Sequence, residues 1–236
     1  MATAVLAAAL LAPAARADDA PAPIAAPSRA GGAHTALIVA PTAARSRPGG
    51  GHVVTHLRGE TDWSHEAQIL LVMDFAEVDG REWLRVLLPV RPNGSTGWVP
   101  ADRTVLRPDA TWLELHKGAR RLFAYRDGRL VRRFPVVIGR AATPTPSGLA
   151  AIYEHNRQPD PHGFLGPWAL PLTALSPVLH SFGGGPGRIA IHGRDGASFA
   201  DPLGSAASHG CIRVQNAAIR WLAAHAPQGT PVLIVD

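Results

Sequence analysis

The sequence predicts a mainly β protein, and three observations carry that prediction. Gly and Pro are plentiful, 24 and 22 of 236 residues, while charged side chains make up only 17%. Apolar residues alternate in short runs separated by turn-forming clusters. No long stretch has helix-forming composition. A hydrophobic content of 46% is enough for real cores, and the length suits one or two compact units.

The chain opens "MATAVLAAALLAPAARADDAPAP". Ala4 to Ala15 form an apolar run too short to cross a bilayer, and "ARA" ending at Ala17 fits a small-x-small cleavage site. Residues 1–17 therefore read as a secretion signal, although no basic residue precedes the run, and the mature protein is expected in the cell wall or periplasm. Residues 18–33, "DDAPAPIAAPSRAGGA", have the composition of a disordered spacer. No later segment could cross a membrane, so no integral span is expected after cleavage. Loss of the leader removes one charge, Arg16, from the formal net charge of +5 and leaves a cation suited to an anionic surface such as a cell wall. Lys117 is the only lysine among 23 basic residues, a compositional habit that adds little to a case for nucleic acid, which is not expected as a partner.

Residues 34–108 carry the runs "ALIVA", "GHVVTHL", "ILLVMDFAEV", "EWLRVLL" and "GWVPADRTVL", divided by "RPGG", "VDG" and "RPNGSTG". That pattern predicts a small antiparallel barrel with Trp63, Trp83 and Trp98 in core or half-buried strand packing. The segment "DGREWLRVLLPVRPNGSTGWVPADRTVL" resembles bacterial SH3-like domains, in which a Gly-Trp-Val step enters the last strand. Arg107, Pro108 and Asp109 mark the boundary.

A second unit is expected over residues 109–236. In "TWLELHKGARRLFAYRDGRLVRRFPVVIG", the turns "KGAR" and "RDGR" divide three strands of a meander. "RAATPTPSG" reads as a rigid loop, and residues 155–188 as a long loop of functional type ending in "SFGGGPGR". "IAIHG" is a buried strand ending at His192. In "VQNAAIRWLAAHA" the residues Ala218, Ile219, Trp221 and Leu222 share one helix face, and "TPVLIVD" closes the chain as a strand.

Within "SAASHGCIRVQN" sits Cys211, the only cysteine. Outside the cytoplasm a cysteine without an intramolecular partner is either a small buried hydrophobe or is kept for its reactivity. Its surroundings favour the second. Cys211 is the candidate nucleophile, and His192 the candidate base. A Gly-containing turn just before a helix should lower the thiol pKa, and the Gly210 and Cys211 N–H groups could form an oxyanion hole. Ser208 reads as a turn hydrogen-bonder. Arg213 is open between a structural ion pair and substrate binding. Phe164 and Trp168 either line a groove or anchor their loop. His155, His162 and His180 lack metal-ligand spacing, the Gly183 to Gly187 run precedes a strand rather than a phosphate-binding helix, and neither a metal nor a cofactor is expected.

His192 and Gly193, then after a gap Ser208, His209, Gly210, Cys211, Ile212 and Arg213, resemble the signature of the L,D-transpeptidase (YkuD) catalytic domain family. The likeness extends upstream through "RLFAYRDGRLVRRFPVVIG", "TPTPSG" and "GGGPGRIAIHG". It implies a β-sandwich with a short helix after the cysteine, and an acyl-enzyme on Cys211 formed from a peptidoglycan tetrapeptide stem. Terminal D-alanine would leave, and an amine of a second stem would resolve the thioester into a 3-3 cross-link. The resemblance implies that His192 exchanges the proton with its other ring nitrogen held by a backbone carbonyl such as that of Gly193. It further implies that His209 shapes the thiol pocket, that Arg213 holds the turn or a substrate carboxylate, and that carbapenems acylate the thiol.

Other readings are weighed against this one. A papain-like wall peptidase places its cysteine before its histidine, and a sortase lacks Ser-His-Gly before the cysteine. A non-catalytic wall-binding protein would not need the Cys and His pair. Within the family, water as acceptor gives an L,D-carboxypeptidase and a protein amine gives lipoprotein anchoring; the acylating residues do not separate these.

Overall fold

The computed structural model describes residues 24–236, so the leader expected at residues 1–17 and the first part of the spacer lie outside the described residues. Seven strands build the first unit: β1 (Ala33–Ile38), β2 (Thr42–Arg47), β3 (Gly50–Leu57), β4 (Ile69–Val78), β5 (Arg81–Leu87), β6 (Thr96–Pro100) and β7 (Thr104–Asp109). They form one sheet in the order β3-β2-β6-β5-β4-β1-β7, with every pairing antiparallel. The sequence predicts a barrel here; among the described residues β3 and β7 stand at opposite edges with no ladder joining them. β2 has no counterpart among the predicted runs, because "TAARSR" shows no apolar alternation and buries only Ala44 fully. Trp83 is buried, Trp98 half-buried and Trp63 exposed.

The spacer expected through residue 33 ends sooner. Ser28 and Gly32 close a turn, and Arg29 reaches Glu114 at 3.4 Å while lying 4.9 Å from the Tyr125 ring centroid. These contacts hold a Pro- and Ala-rich segment whose composition alone predicts none.

The second unit comprises β8 (Thr111–His116), β9 (Arg121–Arg126), β10 (Arg129–Pro135), β11 (Ile138–Gly139), β12 (Gly148–Ala151), β13 (Asn156–Arg157), β14 (Trp168–Leu175), β15 (Arg188–His192), β16 (Ala206–Ser208), β17 (Ile212–Arg213), the helix α1 (Asn216–His225) and β18 (Pro231–Val235). A five-stranded sheet, β10-β9-β8-β18-β12, packs against a four-stranded sheet, β13-β14-β15-β17. Leu113, Leu115 and Leu122 of the first and Leu170, Leu172 and Ile191 of the second share one core. Ala218, Ile219 and Leu222 of α1 join it, with Trp221 packed only partly.

β14 corrects the expectation of a long loop over residues 155–188. Pro171 within "WALPLTAL" argues against a strand, since proline cannot donate to a ladder. Here the ladder shifts register after Pro171, and the Pro171 carbonyl accepts from Tyr153 N–H at 2.7 Å. A strand with seven of its eight residues buried results.

The two units are packed together. Tyr153 inserts into the core of the first unit, and Ala151 meets Leu71 and Leu87. Glu154, fully buried, accepts hydrogen bonds from the Thr61 hydroxyl at 3.2 Å, from Trp63 N–H at 3.2 Å and from Ser64 N–H. Arg91 donates to three carbonyls of the segment after β14: Ser176 at 2.7 Å, Leu179 at 3.2 Å and Pro186 at 3.0 Å. Asn93 pairs with both backbone groups of Leu175, each at 2.8 Å, as a neighbouring strand would.

Charge-assisted bonds of this kind contribute roughly 1.5–3 kcal/mol each when well formed. Arg91→Ala is therefore expected to loosen the loop over residues 177–187. Limited proteolysis read by mass spectrometry should show severalfold faster cutting within that loop, with the rest of the chain protected as before.

Candidate active site

β15 and β17 run parallel, with Ile191 opposite Ile212 and His192 opposite Arg213. Strand alternation sends Ile191 and Ile212, both fully buried, into the sandwich core and turns His192 and Arg213 to the other face. Cys211 precedes β17 by one residue and shares the side of Arg213. Cys211, His192 and Arg213 thus open onto one cleft, walled by Phe164, Leu179, Phe182 and His209.

His192 is 1% exposed, and its Nδ1 lies 2.6 Å from the Gly193 carbonyl oxygen. A carbonyl can only accept, so Nδ1 carries the proton and Nε2 presents a lone pair. Burial pushes the ring pKa down to about 4; the Gly193 hydrogen bond opposes this and the Arg213 charge adds to it. The imidazole is neutral at neutral pH.

The cysteine departs from expectation. The helix dipole is predicted to lower its pKa, but β17 intervenes and α1 starts only at Asn216. The effect of a helix terminus fades within a turn. Burial instead pushes the thiol up, with the Ala190 hydrogen bond and the Arg213 charge opposing. Cys211 still keeps partial exposure at the cleft. At rest the pair is a neutral thiol beside a neutral imidazole.

The turn before Cys211 is clamped. Ser208, with no exposed surface, accepts from Gly210 N–H at 3.1 Å and donates to the Cys211 carbonyl at 2.6 Å. The Gly210 N–H is therefore engaged and unavailable to an oxyanion, contrary to expectation. The Cys211 N–H has no acceptor among the described residues. Gly210 sits at φ 120°, and a Cβ there would come within 2.9 Å of Ile189 Cδ1, so a side chain is excluded twice over. From the "TPTPSG" loop, Thr145 donates to the Gly210 carbonyl at 2.7 Å and Thr143 to the Ser208 carbonyl at 3.2 Å.

Arg213, 3% exposed, pairs with Asp201 and lies 4.9 Å from the Phe164 ring centroid, while its Nε has no partner among the described residues. His209 is exposed, accepts from Arg140 at 3.0 Å and stacks on Phe182 at 5.8 Å. Phe182 is presented by a tight turn bonded from Phe182 to Gly185, which is what the Gly183 to Gly187 run builds. Gly193 leaves room for Asn216 Oδ1, which accepts from Arg194 N–H at 2.9 Å and ties the start of α1 to the end of β15.

Of the residues singled out, Cys211, His192, His209 and Arg213 line the cleft, while Ser208, Gly210 and Gly193 shape its backbone. Phe164 lines it; Trp168 does not. His155 meets the Ala226 carbonyl and His162 meets Asp195, and no cluster of metal-ligating side chains occurs among the described residues. Phe182, Leu179, Asp201 and Asn216 were not legible. Their partners lie in other segments, and only the glycines around Phe182 hinted at a turn.

The family model of the L,D-transpeptidase catalytic domain, YkuD, matches residues 110–234. YkuD of Bacillus licheniformis is 32% identical over 163 residues, covering 66% of this chain and 88% of that protein. YkuD of Bacillus subtilis strain 168 is 30% identical over 154 residues, covering 63% and 84%. Among solved structures, the catalytic domain of the E. faecium L,D-transpeptidase is similar at 21% identity and a TM-score of 0.41, covering 53% of this chain and 96% of that one.

A buried histidine held below its ordinary pKa makes the unfolded chain bind the extra proton first. Stability from His192 is then present above the unfolded value of about 6.5 and is lost as pH falls toward about 4, on the order of 3 kcal/mol. His155, also lowered by burial, acts in the same direction. Urea unfolding across this window should show stability falling with acidity, and His192→Gln should flatten that slope.

Proposed function

The chain belongs to the L,D-transpeptidase catalytic domain family, and from that premise we propose that it is a peptidoglycan L,D-transpeptidase. Cys211 takes the acyl group of a tetrapeptide stem, D-alanine leaves, and an amine of a second stem receives the acyl group in a 3-3 cross-link. One observation carries the reading: the His192 ring at the end of β15 and the Cys211 thiol just before the parallel strand β17 reach one cleft, with the Nδ1–H donated to the Gly193 carbonyl.

The neutral resting pair dictates the order of events. As Sγ bonds to the substrate carbonyl carbon, the thiol proton passes to His192 Nε2 and the carbonyl oxygen takes up negative charge. The Cys211 N–H is the backbone donor left for that oxygen, and the Arg213 charge favours the build-up of anion beside it. When the C–N bond breaks, Nε2 returns its proton to the departing D-alanine nitrogen. The acceptor amine then attacks the thioester, loses a proton to Nε2, and sulfur leaves and recovers that proton. Arg213 lines the cleft as a cation toward which a substrate carboxylate or oxyanion is drawn. Phe164 and Phe182 supply apolar walls for the stem.

Tetrapeptide muropeptides incubated with the purified protein should release D-alanine and yield 3-3 dimers, and Cys211→Ala should do neither. Tripeptide without dimers would redirect the reading to a carboxypeptidase. His192→Ala should slow acylation by about 10²–10⁴-fold; a change within about twofold would remove its role as base. A carbapenem, whose strained amide is an electrophile for the thiol, is expected to add one equivalent of mass at Cys211, checked by intact-mass and peptide mass spectrometry.

A further inference from the structure

The hairpin of β9 and β10 carries a second surface, and none of its residues lines the cleft of Cys211. Arg121, Arg126, Arg129, Arg132 and Arg133 crowd into residues 121–133, and among the described residues no carboxylate pairs with any of them. Arg129 lies directly opposite Arg126 in the ladder, a like-charge pair that weakens the hairpin it sits in. The nearby carboxylates do not neutralise the cluster. Glu114, largely buried, is engaged by Arg29, Trp112 and His116, and Asp127 is the one acid of the turn.

β10 is an edge strand, exposed from Arg129 to Arg133, and it offers two aliphatic side chains to solvent, Leu130 at 44% and Val131 at 46%. The ladder slips register between Leu130 and Arg132, leaving Val131 out of the pairing. Val131 borders a groove with Arg126, Arg132, Tyr125, Trp221 and His225. The Arg132 guanidinium stands 6.0 Å from the Trp221 ring centroid, and His225 stacks on Trp221 at 4.4 Å.

We propose that this hairpin docks on an anionic phospholipid bilayer. The arginines meet phosphate headgroups, one of which sits in the groove between Arg126 and Arg132, while Leu130 and Val131 enter the interface. Charge complementarity names an anionic partner. The exposed aliphatic pair beside Tyr125 and Trp221 favours lipid over a soluble anionic polymer, because basic, aliphatic and amphipathic aromatic side chains together match the layered polarity of a membrane interface and only the charges would serve a polymer.

The test is co-flotation of the full chain with vesicles of phosphatidylcholine alone or containing about one third phosphatidylglycerol. The apolar run at Ala4 to Ala15 is common to every variant, so the difference between the two vesicle types isolates the charged surface. Wild type should bind the phosphatidylglycerol vesicles and be released as salt rises from about 0.05 M to about 0.5 M. Arg126→Ser, Arg129→Ser and Arg132→Ser combined should lose that added binding by about tenfold or more. Leu130→Ser with Val131→Ser, at two exposed positions, should also lose binding severalfold with an unchanged melting temperature. Equal binding to both vesicle types, or full binding by the arginine variant, overturns the proposal. Unchanged binding by the Leu130 and Val131 variant, together with displacement by inorganic polyphosphate, overturns it in favour of a soluble polyanion.

Discussion

The parallel pairing of β15 with β17 is the constraint on which the site depends. It lasts for two residue pairs, Ile191 with Ile212 and His192 with Arg213. The isoleucines anchor it in the sandwich core, and because side chains alternate, burying them leaves His192, Cys211 and Arg213 on the opposite face. A slip of one residue would exchange the two sets. The hydrophobic core therefore selects the register that brings the thiol and imidazole together. The Thr143 and Thr145 hydroxyls then hold the turn that delivers the thiol.

The electrostatics of this face follow from the same burial. A histidine with only 1% exposure cannot cheaply hold a proton, and a largely desolvated thiol cannot cheaply lose one. The two groups consequently rest uncharged, and the ring is kept in one tautomer by the Gly193 carbonyl. The cation that acts on both groups is Arg213, itself compensated by Asp201. The resting protein thus stores no thiolate–imidazolium pair on this face, although the Arg213 charge favours an anion there.

The first unit is part of this arrangement. Arg91 and Asn93 hold the backbone at the end of β14 and in the loop that follows, and that loop carries Leu179 and Phe182 to the cleft. Trp63 lies against Gly185, where a Cβ would come within 2.7 Å of the indole. Glu154 answers from the second unit by accepting three donors from the 61–64 segment. One wall of the cleft is therefore supported by a unit that contributes no residue to its lining.

The sequence by itself determined what local chemistry and periodicity can determine. The Asp127-Gly128 turn, with both residues at positive φ, follows from a preference for that dipeptide, and α1 buries Ala218, Ile219 and Leu222 as its spacing requires. A lone cysteine and a histidine ending a buried strand were readable as a candidate site from their chemistry, and the Ser-His-Gly step between them from its resemblance to a family signature. Tertiary structure decided what depends on neighbours distant in the chain. β14 forms despite Pro171 because a register shift and Tyr153 N–H accommodate it. The run Leu70, Leu71, Val72 is buried throughout because one face meets its own core and the other meets Ala151. The thiol pKa rises, and the Gly210 N–H is engaged by Ser208, because desolvation and hydrogen-bond partners are set by three-dimensional packing, which no stretch of sequence contains locally.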